Sequence, residues 1–274
     1  LTEAAWKKLL EQAQAAWQQQ QHHDALQLCD RAALVSSHGR YAAARLRGDI
    51  LLHLGDAAGA LSSYDSVADP ALADARLDCS RGLALFELVR FPEAHGALRS
   101  ALRGDPQLPE AHHALGVMAE ILGTGDAAEH FRRARRLAPA RYAASPHLTV
   151  EQFQAVVQRA LERLPERLRT AMQAMTILVQ ELPRLSDLQQ GNAAISPLAF
   201  GTQVVRTPPG QASGGPPEEE TGAPTLLLFK RNLERACADE TELVQAIRDS
   251  VLHEAVAALG LPYDEDLEEW PGMN

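Results

Sequence analysis

Gly48, Gly82 and Gly116 stand 34 residues apart, twice in succession. A fixed period of this length constrains a chain more than any local propensity. One unit cannot bury its own apolar face, so neighbouring units must stack and share a continuous core. Each glycine sits in a helical pattern: LRGDILLHLG, SRGLALFELV and ALGVMAEILG. Each is followed by a turn and a second helical run: GALSSYDSV from Gly59, EAHGALRSAL from Glu93 and AAEHFRRARRLAP from Ala127. Ala60, Ala94 and Ala127 or Ala128 take a small position where two helices approach, and Tyr64, Leu98 and Phe131 take a large one a turn later. Pro106 and Pro139 end these runs, because a ring without an N–H cannot continue a helix. An earlier, degenerate unit fits the same frame, with Ala13 at the glycine position and Ala25, Cys29 and Ala32 on its second helix. The period therefore predicts about four helix pairs over residues 1–140.

The period, the glycine at the helix crossing and the closing AxxLxP-type run together resemble the tetratricopeptide repeat (TPR) family. The resemblance implies an all-α solenoid with a groove lined by the first helices, and a protein or peptide partner in that groove. Arg45, Asp49, Arg81, His112 and His113 are the candidate groove residues. A second reading of such positions is an ordinary solvated helix face. Arg132, Arg133, Arg135 and Arg136 form a basic run that suits either an acidic partner or the C-terminal end of a helix.

Charge divides the chain. Residues 1–147 hold 16 basic and 17 acidic side chains, whereas residues 148–274 hold 10 and 19, so almost all of the net charge of −10 belongs to the second half. An acidic chain lacks the excess Lys and Arg that displace counterions from nucleic acid, so no nucleic-acid partner is expected. No apolar run approaches the length of a membrane span, and no membrane partner is expected either. The N-terminal LTEAAWKKLLEQAQ is amphipathic and lacks a signal-peptide core. Cys29, Cys79 and Cys237 are three scattered thiols without metal-site spacing, which places the expected setting in the reducing cytoplasm.

Beyond the repeats the pattern changes. Residues 138–148 are rich in Pro and Ala, and a linker is expected at 141–148. Residues 149–274 then read as a small α+β domain. Thr149 with Gln152 makes a capping box ahead of a helix whose apolar stripe is Phe153, Val156, Val157, Ala160 and Leu161. Strands are expected over Ala174–Leu182, within 198–206 and over Thr225–Lys230. Residues 207–224, TPPGQASGGPPEEETGAP, are too rich in Pro, Gly and acid to pack a core and are expected to be a mobile loop. Residues 241–260 form a last amphipathic helix closed by Gly260.

That helix carries the chain's one chemical motif, His253-Glu254-Ala255-Val256-Ala257. A zinc-peptidase helix needs HExxH: two His four apart hold the metal from one face, and the Glu polarises the attacking water. The opening helix, the strand TILVQELP, the run TLLLFKRNLERAC and the final helix with its acidic tail resemble a bacterial family of minimal zincin-like metallopeptidases. The resemblance spans about residues 148–268. It implies that His253 is the first zinc ligand, Glu254 the general base, and Asp264, or its neighbour Asp266, a third ligand. The departure is at Ala257, which has no lone pair, and Ala258 follows where another His often stands. Nine of the ten His lie at or before position 147, so no other His of this domain replaces the missing ligand. Cys237 has no supporting spacing. Trp270 beside the tail reads either as local packing or as a partner anchor.

Two function classes follow. In the first, the repeats bind a protein or peptide and the zincin-like domain is a pseudo-peptidase without a cofactor. In the alternative, the chain is a zinc-dependent peptidase with a non-standard ligand set, Glu254 as base and the repeat groove selecting substrate.

Overall fold

The computed structural model describes residues 2–67, 74–143, 145–189, 196–198, 201–206 and 224–260. The loop expected at 207–224 lies outside the described residues except for Pro224, and Asp264, Asp266 and Trp270 also lie outside them. The chain divides into two units: the described residues of Leu1–Tyr142 with Leu185–Pro197, and those of Ala143–Arg184 with Leu198–Asn274.

The first unit is all helix. Its helices run in pairs: α1 (Thr2–Gln18) with α2 (His22–Ala33), α3 (Ser37–His53) with α4 (Ala57–Asp65), α5 (Ala75–Glu87) with α6 (Phe91–Gly104), and α7 (Pro109–Ile121) with α8 (Ala127–Leu137). Each helix packs on the next, so the four pairs form one stack. The period has a steric cause. A Cβ on Gly48 would stand 2.3 Å from the Tyr64 ring, one on Gly82 2.7 Å from Leu98, and one on Gly116 2.8 Å from Phe131. Each first helix thus presses its bare backbone against the large side chain of its own partner. Side-chain caps set several starts: Ser36, Asp56 and Asp74 accept from the backbone N–H of Gly39, Gly59 and Leu77.

The turns inside the pairs repeat as well. Gly55 and Gly123 take left-handed conformations with φ of 83° and 64°. Val89 holds the equivalent place at φ 57°, a conformation a β-branched residue rarely adopts. Its side chain is buried, and that burial offsets the backbone strain.

The second unit begins with α9 (Val150–Glu162), α10 (Glu166–Ala171), a single 3₁₀ turn over Met172–Ala174, and β1 (Thr176–Gln180). The expected capping box is present: Thr149 Oγ1 accepts from Gln152 N at 3.2 Å, and Gln152 Oε1 accepts from Thr149 N at 2.8 Å. The expected first strand is shortened, because residues 172–174 are taken by the 3₁₀ turn. The short α11 (Leu185–Leu188) belongs to the first unit. Then come β2 (Thr202–Arg206), β3 (Pro224–Phe229), α12 (Lys230–Arg235) and α13 (Glu240–Leu259).

The sheet has the order β1-β3-β2. β3 lies parallel to β1, with Leu227 opposite Leu178, and antiparallel to β2, with Leu227 opposite Gln203. As the central strand it is the most buried, which fits its run of leucines. Leu226 and Leu228 join Phe153, Val156 and Val157 of α9 and Leu243, Ile247 and Val251 of α13 in one core.

The corner after β3 holds a buried ionic network. Lys230 is 2 % exposed and Glu234 is 0 % exposed. Lys230 Nζ lies 3.3 Å from Glu234 and donates to Glu181 at 3.2 Å, and Arg231 donates to Glu234 at 2.5 Å. Glu234 also accepts from the backbone N–H of Leu148 at 2.9 Å. This network ties the entry to α9, the end of β1 and α12 into one frame.

Candidate functional site

The candidate groove residues of the repeats are engaged in joining helices. Asp49 of α3 accepts from Tyr64 Oη of α4 at 2.8 Å and from Ser80 Oγ of α5 at 3.3 Å. Burial pushes its carboxyl above the ordinary range, while the bonds from Tyr64 and Ser80 and the nearby Arg45 pull the other way. Arg45 pairs with Asp74 at 3.7 Å, and Arg81 pairs with Asp65 at 2.8 Å, linking α5 to α4. His112 is 2 % exposed and lies inside the last pair, bonded to Pro106 and His130. His113 stacks on Tyr142 with ring centroids 4.6 Å apart. Of the basic run, Arg132 and Arg133 both hold Glu129.

The motif helix α13 starts at Asp239, whose side chain accepts from Glu242 N at 2.9 Å, and ends at Gly260 in a left-handed conformation. One stripe, Leu243, Ile247, Val251 and Ala255, faces the core and is fully buried. Residues four apart share a helical face. His253 and Ala257 are both exposed, and Glu254 is half-buried beside them. The face that carries His253 and Ala257 is therefore turned away from the core, with imidazole at one end and a methyl group at the other.

Asp249 lies one turn before His253 on that same face, a position the HExxH pattern does not include. Its signal in the sequence is the i, i+4 spacing to His253, on the N-terminal side of the motif. The carboxylate is already occupied: Gln245 donates to it at 2.9 Å and Arg248 at 2.7 Å. Among the described residues no three His, Cys, Asp or Glu side chains gather closely enough to hold a metal ion. Zinc sites rely on three or four such donors, and Asp264 and Asp266 of the expected set lie outside the described residues. Cys237 is buried, and that burial pushes its thiol above the ordinary range, away from the thiolate a metal needs.

A family model for tetratricopeptide repeats matches residues 10–75 and 79–143, and a model for zincin-like metallopeptidases matches residues 172–272. The chain joins tetratricopeptide repeats to a zincin-like metallopeptidase domain. No curated protein sequence is similar enough to count as a match. Tetratricopeptide repeats mediate association between proteins, so the first unit supplies a surface for a protein partner. The zincin-like match includes β1, β3 and α13, and with them His253 and Glu254. Among the described residues no helix is long and apolar enough to cross a membrane.

Proposed function

We propose that this chain is a protein-interaction scaffold in which a zincin-like pseudo-peptidase domain accompanies the repeats. The observation that carries the reading is Ala257. It stands four residues after His253 on the same exposed face, where the second zinc ligand belongs, and a methyl group cannot coordinate a metal. The carboxylate of Asp249 is held by Gln245 and Arg248, and among the described residues no group of three donors forms. His253 and Glu254 then act as polar surface groups of α13. The repeats contribute the recognition, through the groove formed by their first helices, and the partner is a protein or peptide. No cofactor takes part.

The test is the zinc content of the purified full chain after dialysis against trace zinc, beside the Ala257→His variant. The native chain is expected to hold far less than one zinc per molecule, and the variant to take up more. A native chain with one zinc per molecule overturns the reading. So does peptide hydrolysis that disappears in Glu254→Gln, and either result moves the chain to the peptidase class with a non-standard ligand set.

A further inference from the structure

His112 of α7 and His130 of α8 meet between the last two helices of the stack. Their Nδ1 atoms are 3.1 Å apart, and the ring centroids 5.3 Å. The other nitrogen of His112, Nε2, lies 3.1 Å from the carbonyl oxygen of Pro106. These contacts fix the hydrogens. A carbonyl oxygen can only accept, so Nε2 of His112 carries its hydrogen. A neutral imidazole carries one, so Nδ1 of His112 is bare and accepts. The hydrogen between the rings therefore sits on Nδ1 of His130. A single tautomer of each ring satisfies both bonds.

The arrangement tolerates little protonation. With one added proton the rings still share a hydrogen. With two, an N–H faces an N–H and two positive rings stand in contact. The surroundings oppose even the first. His112 is buried, and Arg133 and Arg136 of α8 lie nearby, with Glu129 as the opposing charge. His130 faces Arg99 of α6 and Arg133, with Asp126 opposing. Glu129 is already held by Arg132 and Arg133. The same arginines make the pair a poor seat for a metal dication. Burial, foremost, depresses the basicity of both rings.

We propose that the His112–His130 pair is a proton-operated catch on the last helix pair: neutral, it ties α7 to α8, and protonation releases α8 from the end of the stack. This inference stands apart from the reading of the zincin-like domain. The sign follows from linkage. Both rings bind protons less readily when folded than when unfolded. The stability they contribute is complete above the ordinary histidine value of about 6.5 and is lost as the pH falls from there through the lower values of the folded rings. Acid thus frees the last repeat helix of the unit that binds partners.

The test is amide hydrogen exchange of the full chain at pH 7.5 and pH 6.0, corrected for intrinsic exchange. Protection in α7 and α8 is expected to fall, by up to about fourfold for each ring between those two pH values, while α3 and α4 hold theirs. His130→Asn keeps a donor where Nδ1 stood and cannot titrate, so its fall should be smaller. An equal fall in the variant and the native chain overturns the proposal, and so does no fall in the native chain. Nitrogen NMR of the native rings gives a second reading independent of the variant. It should find hydrogen on Nδ1 of His130 and on Nε2 of His112 at neutral pH, and the reverse assignment overturns the catch.

Discussion

A missing side chain sets the repeat. Gly48 meets the ring of Tyr64 so closely that a Cβ would stand 2.3 Å from it, and Tyr64 is itself buried and bonded to Asp49. The ring cannot withdraw without breaking that bond. Gly48→Ala should therefore destabilise the chain by about 1–3 kcal/mol, the usual range for overpacking, seen as a lower urea midpoint. Gly96 is the control, because on α6 a Cβ there meets nothing within 4 Å. Gly96→Ala should be stabilising by about 0.5–1 kcal/mol through the lower entropy of the unfolded chain. If both substitutions behave alike, the close approach does not explain the period. This part of the fold was legible in the sequence, since Gly48, Gly82 and Gly116 and their partners Tyr64, Leu98 and Phe131 share one spacing. The charged residues were less legible. Arg81 and Asp65 are an ion pair across two helices, and neither spacing nor residue type separates such a pair from one that awaits a partner.

Elements were readable where their signal is local. Thr149 and Gln152 announce α9, and Gly260 announces the end of α13. Thr149→Ala should cost about 1 kcal/mol, the usual worth of an N-cap, measured by denaturant unfolding. The corner after β3 was harder. Lys230 was expected to end a strand but opens α12, and both it and Glu234 four residues on are buried. What buries them is long-range, namely Glu181 at the end of β1 and the backbone of Leu148. No local pattern carries that information. Glu234→Ala should be among the most damaging single changes in the second unit, at about 3–5 kcal/mol, because it takes the buried carboxylate away from both Lys230 and Arg231 and leaves the ammonium to the more exposed Glu181. Replacing Lys230 and Glu234 together by Met and Leu should recover much of that loss, since an apolar pair of similar volume needs no charge compensation. A double variant as unstable as Glu234→Ala would show that bonds to Glu234 other than the ion pair, such as that from Leu148, dominate the corner. The motif on α13 shows the same limit in another form. The sequence displayed the absent ligand at position 257, but the engagement of Asp249 by Gln245 and Arg248 became evident only with the helix built.

At the scale of the whole molecule, the two units make separable claims on stability. Each has its own core, so heating the full chain should give two transitions where their stabilities differ. The chain order does not assign them simply. Leu185–Pro197 lies in sequence between β1 and β2 yet belongs to the first unit, and Leu188 is fully buried there. Leu188→Ala, a large-to-small change in a packed site, should cost about 2–5 kcal/mol and lower the transition of the repeats, leaving that of the zincin-like unit in place. The converse comes from zinc. A ligand that binds only the folded state stabilises it by about 2.7 kcal/mol at a hundredfold excess over its dissociation constant. Zinc should leave both transitions of the native chain unmoved, and in Ala257→His should raise the transition that Leu188→Ala leaves alone. If zinc instead raises the transition of the repeats, the metal is binding among the eight His of that unit, and occupancy alone then says nothing about α13. The two substitutions together thus give each transition an owner and let a calorimeter separate a metal held by the zincin-like unit from one held elsewhere on the molecule.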